Sequence, residues 1–340
     1  MGNFDVSSVA AEMGIDTAVS LKMFRNTAIR FTSQVMAMTN TLRAIDRGNR
    51  RRGGVILVFH EITRDLLATH LNHLAEMYTF VPLEEFVQRL ATHKSTVGTA
   101  AITFDDGVDT VTEAAASLAA HHGWPMTFYL PTRYLDTGQP YWFLELDLLL
   151  NRATGATLSF NNNVLSLKSS AAIQKTSKIL RNYFKTLSTV DEVEDSLRRI
   201  RRHLFGSEDR PAGLSTPNPI SWDRVRKLAR RDELSFQAHS INHLAVSRLT
   251  EACLIKELEG SRSRIEEFTG KPVEDFCYPY GSPREVGNTA PDIVRKIFRS
   301  ATTTSRGRCS QDVDMALLPR VPIDAQDAEA VVALKVGSAR

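Results

Sequence analysis

Two clusters of side chains in this sequence are equipped for chemistry. The first is Asp105-Asp106-Gly107, at the end of the apolar run AAITF. Two adjacent carboxylates at a strand end, followed by a glycine that permits a tight turn, can give one carboxylate to a metal and leave the other free as a base. The same three residues also make a good turn and helix cap. The second cluster is HSINH, with His239 and His243 after the run LSFQAH. If a helical turn follows the strand, a spacing of four puts both imidazoles on one side, as metals accept them from a helix. Histidine pairs also occur idly, as expected of His121-His122. Taken jointly, two imidazoles and one carboxylate are the three-ligand set of a hydrolytic zinc site with a position open to water.

These residues need elements to hold them, and strand-then-helix alternation supplies them after Gly54. The apolar run VILVF, ending in His60-Glu61, has the character of a buried parallel strand. Further strands are expected at YTFVPL, AAITF, MTFYLP, LSFQAH, EDFCYP, FRSATTT and LLPRVPI. Helices are expected at PLEEFVQRLATH, DTVTEAAASLAAHH, SWDRVRKLARR and LTEACLIKELEGSRSRIEEFTG, the last closed by Gly270. Such alternation means an α/β fold, a barrel or a doubly wound sheet, in which ligands collect at the carboxyl ends of the strands.

Between about residues 139 and 219 the alternation breaks. There PYWFLELDLLLNR is expected to be helical, TLSFNNNVLSLK a hairpin, and Ser169 to Phe205 two polar helices before a Pro-rich connection. We take this as a mainly helical insertion. Residues 1–52 form an appended segment, with a helix from Asp16 to about Thr41 and then the basic stretch RAIDRGNRRRGG. Two roles are open to it: a packed helix with a solvated linker, or an interfacial helix whose arginines meet anionic lipid headgroups in a peripheral membrane contact.

Composition narrows the partners. The 42 Lys and Arg against 39 Asp and Glu leave a formal charge of +3, too small to announce a nucleic-acid partner. Cys253, Cys277 and Cys309 are widely spaced and form no CxxC pair, so inert thiols are expected rather than disulfides or a thiolate zinc site. No run of 18 apolar residues could span a bilayer, and the first twenty residues lack a secretory signal pattern, so a cytoplasmic location is expected.

TFDDG followed by HSINH resembles the polysaccharide deacetylases, the NodB-homology group of carbohydrate esterases. The resemblance runs from Gly54 to about Leu334 outside the insertion, supported by VFHE, SWDRVRKLA, YPYG and LPRVPI. It implies a distorted (β/α)7-type barrel over residues 53–340, carrying the insertion. It also implies a metal-dependent hydrolase, with zinc the usual divalent cation. Its substrate would carry N-acetylated amino sugars within a polysaccharide, an oligosaccharide or a lipid-linked glycan precursor. Residue by residue, it makes Asp105 the general base and Asp106, His239 and His243 the metal ligands. The backbone N–H of Tyr280 would face the oxyanion.

The sequence departs from the family in two places. Where many members have an arginine that orients the catalytic aspartate, this chain has Cys277. Arg320 is the nearest substitute, since a guanidinium can hold a carboxylate bidentately from another strand end; its other reading is an ordinary surface ion pair. Many members also supply the general acid as a histidine near the C-terminus, yet no histidine follows His243. His60 is the expected replacement, because the first and last strands of a closed barrel are neighbours; otherwise it caps its strand. Tyr141 and Trp142 would offer an aromatic face to a sugar or pack the inserted helices. Trp124 and Trp222 are assigned to packing, and Arg201, Arg202 and His203 to a solvated helix face. The same machinery would serve O-deacetylation, deformylation or cleavage of another amide, and a homologue without turnover would only bind carbohydrate.

Overall fold

The structure is a computed structural model that describes residues 53–339; the expected N-terminal helix and basic stretch lie outside the described residues. The chain runs β1 (Val55–Phe59), α1 (Arg64–Ala75), β2 (Thr79–Phe80), α2 (Leu83–Ala91), β3 (Thr99–Phe104), α3 (Asp109–His122), β4 (Met126–Leu130) and α4 (Thr132–Thr137). There follow α5 (Trp142–Arg152), the hairpin β5 (Thr157–Phe160) and β6 (Asn163–Ser166), α6 (Ser170–Phe184) and α7 (Val190–Phe205). The barrel then resumes with α8 (Trp222–Leu228), β7 (Leu234–Ala238), α9 (Glu251–Thr269), β8 (Asp275–Cys277), α10 (Pro283–Val286), α11 (Ala290–Ile297), β9 (Ser300–Arg306), β10 (Leu318–Pro322) and α12 (Glu329–Gly337).

Seven parallel strands close on themselves in the order β1-β3-β4-β7-β8-β9-β10, and β10 returns to β1. This is the distorted (β/α)7 barrel. YTFVPL contributes only Thr79–Phe80, which pairs with the start of β3 and stays outside the ring. Helices α1, α4, α10, α11 and α12 were not marked by the sequence pattern. In α1 the buried stripe is Leu67, His70, Leu71 and Leu74, so a histidine interrupts the apolar period.

Four phenylalanines fix the register on the site side of the ring. Phe59 of β1, Phe104 of β3, Phe128 of β4 and Phe236 of β7 are direct register partners. Their rings stack with centroids 5.4, 5.1 and 5.4 Å apart. Each such pair contributes about 1 kcal/mol beyond its buried area. The ladder packs outward against the helices, and side chains alternate along a strand, so the residues that follow, His60 and Asp105, turn toward the barrel mouth. Two steps further than Gln237, His239 reaches the same mouth from β7.

The segment between α4 and α8 builds its own apolar core from α5, α6, α7 and the hairpin. Trp142 stacks on Phe184 at 4.7 Å, and Leu244, just past the histidine pair, belongs to that core.

Candidate active site

Asp105 and Asp106 stand where β3 ends. The backbone reverses there through two consecutive left-handed residues, Asp106 (φ 68°) and Gly107 (φ 65°). Aspartate tolerates that region, whereas at 107 a Cβ would be strained at this φ and would also have to displace the buried Leu130, whose Cδ2 lies within 2.4 Å. The turn is clamped by Tyr141, whose hydroxyl donates to the Asp106 carbonyl, and by Ile220 N–H, which donates to the Gly107 carbonyl at 2.9 Å. The two carboxylates thereby point to different partners.

His239 and His243 do not sit on a helical turn, contrary to the expectation from their spacing. They lie on a loop in which Ser240 (φ 67°) and His243 (φ 55°) are left-handed, and the tight reversal brings the two rings to 4.9 Å. Glu257 of α9, buried beneath the loop, holds it. Its carboxylate accepts the N–H groups of Ile241 and Asn242 at 2.9 and 2.8 Å and the Asn242 side-chain amide as well. Ser240 Oγ accepts His243 N–H at 3.0 Å. Sequence pattern missed Glu257, whose only signal is a carboxylate on the buried face of an otherwise amphipathic helix.

The residues fit a metal. Asp106, His239 and His243 are buried, and their ligand atoms lie within 4.8 Å of one another. Asp106 Oδ1 is 3.6 Å from His239 Nε2 and 3.2 Å from His243 Nε2, yet it makes no hydrogen bond among the described residues. A buried carboxylate oxygen without a donor is costly, and ligands sharing one tetrahedral zinc at bonds of about 2.0–2.2 Å stand about 3.3–3.6 Å apart. His239 Nδ1 is 2.7 Å from the Cys277 carbonyl, which can only accept, so the proton sits on Nδ1 and the Nε2 lone pair faces Asp106. Burial and the neighbouring His243 push His239 down to about 4, so it is neutral at pH 7. For Asp106, burial alone would raise the pKa, but the proximity of His243 and His239 brings it below the ordinary value.

Asp105 is the other half of the site. Arg320, fully buried on β10, grips it with two parallel bonds of 2.7 Å, Nη1 to Oδ1 and Nη2 to Oδ2. The register between β9 and β10 shifts between Leu318 and Arg320, a bulge of the kind that re-aims a side chain. The rest of the guanidinium is satisfied by the Thr303 carbonyl at 2.9 Å and Thr103 Oγ1 at 3.3 Å. Arg320 is therefore no surface pair; it holds the Asp105 carboxylate bidentately from another strand end. Cys277 completes the cage: its thiol is 3.5 Å from Asp105 Oδ2, and Arg320 Nη2 donates to its sulfur at 3.1 Å. Burial pushes that thiol well above its usual pKa, so it stays protonated. For Asp105, burial alone would raise the pKa, but the Arg320 charge and hydrogen bonds, with smaller help from His60 and His239, hold it well below the carboxylate range. His60, half-exposed at the end of β1, places Nε2 3.5 Å from Asp105 Oδ2.

The remaining expectations divide. All three cysteines are free, as expected of inert thiols; Cys253 is exposed, Cys277 and Cys309 are buried, and Cys277 touches the site. Of the two roles open to Tyr141 and Trp142, packing is the one the structure supports, since both are buried and Trp142 stacks on Phe184. Arg201 is not solvated; its Nε pairs with buried Glu145 at 2.7 Å. Trp222 does pack, stacking on Phe268 at 4.3 Å while its indole donates to Asp136 at 2.8 Å. Tyr280 follows β8 in a left-handed turn (φ 62°), and its hydroxyl donates to the His243 carbonyl at 3.0 Å.

The sequence model of the family described as polysaccharide deacetylase matches residues 92–301, which span Asp105, Asp106, His239, His243 and Tyr280. The chain belongs to the polysaccharide deacetylase family. His60 and Arg320 of this deacetylase lie outside the matched stretch. Its fold is shared with the deacetylase PplD of Streptococcus pyogenes, solved in complex with acetate, at 14% identity and a TM-score of 0.55 over 83% of this chain and 97% of that one. A de-N-acetylase from Aggregatibacter actinomycetemcomitans aligns at 14% identity and a TM-score of 0.52, over 83% of this chain and 99% of that one. IcaB from Ammonifex degensii aligns at 16% and 0.51, over 84% and 98%. No curated protein sequence matches the chain. Among the described residues no helix is long and apolar enough to cross a membrane.

Proposed function

We propose that this deacetylase is a metal-dependent hydrolase that removes N-acetyl groups from the amino sugars of a polysaccharide, oligosaccharide or lipid-linked precursor. The observation that carries the proposal is the donor-free Asp106 Oδ1 between two histidine nitrogens, adjacent in the chain to a second carboxylate locked by Arg320. Asp106, His239 and His243 would hold a divalent cation, zinc by the character of the donors. When bound, it would supply positive charge that acidifies water and polarises the acetyl carbonyl.

The chain's own groups do the rest. Asp105, ionised at neutral pH and fixed in direction by Arg320, receives the proton of the water whose oxygen attacks the amide carbon. His60, half-exposed with Nε2 3.5 Å from Asp105 Oδ2, would take part in moving that proton. As the carbon–nitrogen bond breaks, His60 delivers the proton to nitrogen and acetate is left. The Tyr280 N–H, on the sharp turn after β8, would donate to the oxygen that gains charge in between, a contribution of about 3–4 kcal/mol where such donors have been deleted.

The test is acetate release from N-acetylglucosamine oligomers by zinc-loaded protein at neutral pH, with and without a chelator, beside Asp105→Asn. Metal-dependent release lost in the variant is expected. Formate or O-acetyl release instead would change the bond assigned, and no release from metal-loaded protein on any acylated sugar would refute hydrolysis.

A further inference from the structure

The insertion forms one wall of the site, and it carries an unneutralised cation there. Phe143 of α5 lies 5.5 Å from the His243 ring and Tyr280 lies 4.8 Å from it on another side. Both aromatic rings are half-buried. Over each stands a basic side chain from α6 or its cap: Arg181 is 5.7 Å from the Phe143 centroid and Lys185 Nζ is 4.9 Å from the Tyr280 centroid. Four residues apart, the two share one face of the helix end. Arg181 is neutralised by Asp147, to which it donates, and it also donates to the Phe143 carbonyl at 3.2 Å. Lys185 has no carboxylate within ion-pair distance among the described residues.

A lysine closing a helix can serve merely to offset the C-terminal dipole. Here the ammonium instead lies over the Tyr280 ring, and it makes no hydrogen bond to the carbonyls of α6 among the described residues. The ring screens one side of the charge and holds its position, leaving its donors to solvent. A point charge so placed, one aromatic ring away from a metal ligand, suits an anionic oxygen group attached to the N-acetylated sugar or carried by the unit beside it.

We propose that Lys185 determines specificity by reading an anionic group, a sugar phosphate or a uronate carboxylate, attached to the N-acetylated unit or carried by the one beside it. The substrate class is then an anionic glycan or a phosphate-linked precursor rather than a neutral chain. This rests on the deacetylase reading for the position of the substrate, and deepens it.

The experiment is equilibrium binding by calorimetry to the full, metal-free chain, so that turnover does not intrude. Two matched pairs of probes are used: N-acetylglucosamine 1-phosphate against N-acetylglucosamine, and a glucuronate–N-acetylglucosamine disaccharide against the neutral chitin disaccharide. At least one anionic probe should bind about tenfold more tightly than its neutral partner. Lys185→Gln should remove that preference, Lys185→Arg should keep it, and added salt should shrink it. Preference in the phosphate pair alone assigns a sugar phosphate; in the uronate pair alone, a uronate glycan. Equal binding within both pairs by wild type, or a preference that survives Lys185→Gln, overturns the proposal. Acetate release is measured separately on metal-loaded protein. Its absence beside an intact anionic preference would sink the deacetylase reading and leave the role of Lys185 standing.

Discussion

Asp105 and Arg320 form a pair whose removal should cost more than activity. Their side chains are 3% and 0% exposed and joined by two bonds of 2.7 Å. Taking away one member of such a pair leaves a buried charge without its counter-charge, a loss of about 3–5 kcal/mol. Asp105→Asn should fall toward the lower end, since the amide oxygen can still accept one N–H and the guanidinium keeps Thr303 and Thr103. Arg320→Met should fall toward the upper end at pH 7. The double variant should recover much of this, giving a coupling energy of roughly 2–4 kcal/mol. The pH dependence separates the singles. In the wild type the Asp105 pKa is depressed, so its contribution is present above the unfolded value of about 3.9 and lost as pH falls through the folded one. Without Arg320, burial dominates and the folded pKa rises. The sign then inverts: Arg320→Met is least penalised below pH 4 and loses stability as pH rises through its new folded pKa. Urea titrations read by tryptophan fluorescence at pH 4 and pH 7 measure all four corners. A coupling below about 1 kcal/mol, or an Arg320→Met penalty that does not grow between pH 4 and pH 7, would refute the buried-pair account.

Three further outcomes are expected. His60→Gln should lower kcat by about 10²- to 10⁴-fold with little change in thermal midpoint, because the side chain is half-exposed; an unchanged kcat would remove it from proton transfer. Glu257→Ala should weaken zinc binding about 10- to 100-fold, measured by competition with a chromophoric chelator, because two loop N–H groups lose their acceptor; undiminished affinity would show that the loop holds itself. In metal-free protein, His239 is pushed down to about 4, so the unfolded chain gains a proton that the folded one refuses. Stability should therefore fall between pH 6.5 and 4 by up to on the order of 3 kcal/mol, and His239→Gln should flatten that window; an equally steep profile in the variant would contradict a neutral buried imidazole.

The barrel was legible where strands are buried on both faces, because runs such as VILVF and AAITF have no competing periodicity. It was less so where local pattern and tertiary role part company. YTFVPL looks like a full strand, but only two residues find a partner edge before Pro82 opens α2. In α1, His70 occupies a core position, and α10 has only four residues, too few to show a period. The histidine pair was found by spacing but assigned the wrong backbone. A spacing of four describes which side chains converge and says nothing of left-handed residues at Ser240 and His243 that make them do so.

The site itself shows what sequence order can and cannot carry. Asp105, Asp106, His239 and His243 announce themselves because each lies next to a strand end in a short motif. Arg320 and His60 do not, since they depend on closure of the barrel, which brings the two ends of the domain together. Cys277 and Arg320 lie on β8 and β10 with β9 between them, yet both side chains reach the same Asp105 oxygen. The cationic grip on this buried carboxylate is therefore supplied from β10, while the β8 position reaches the same oxygen with a thiol. Moving the cation to β10 leaves room on β8 for the small thiol, and Arg320→Ala with Cys277→Arg should accordingly restore part of the activity and stability that Arg320→Ala alone removes.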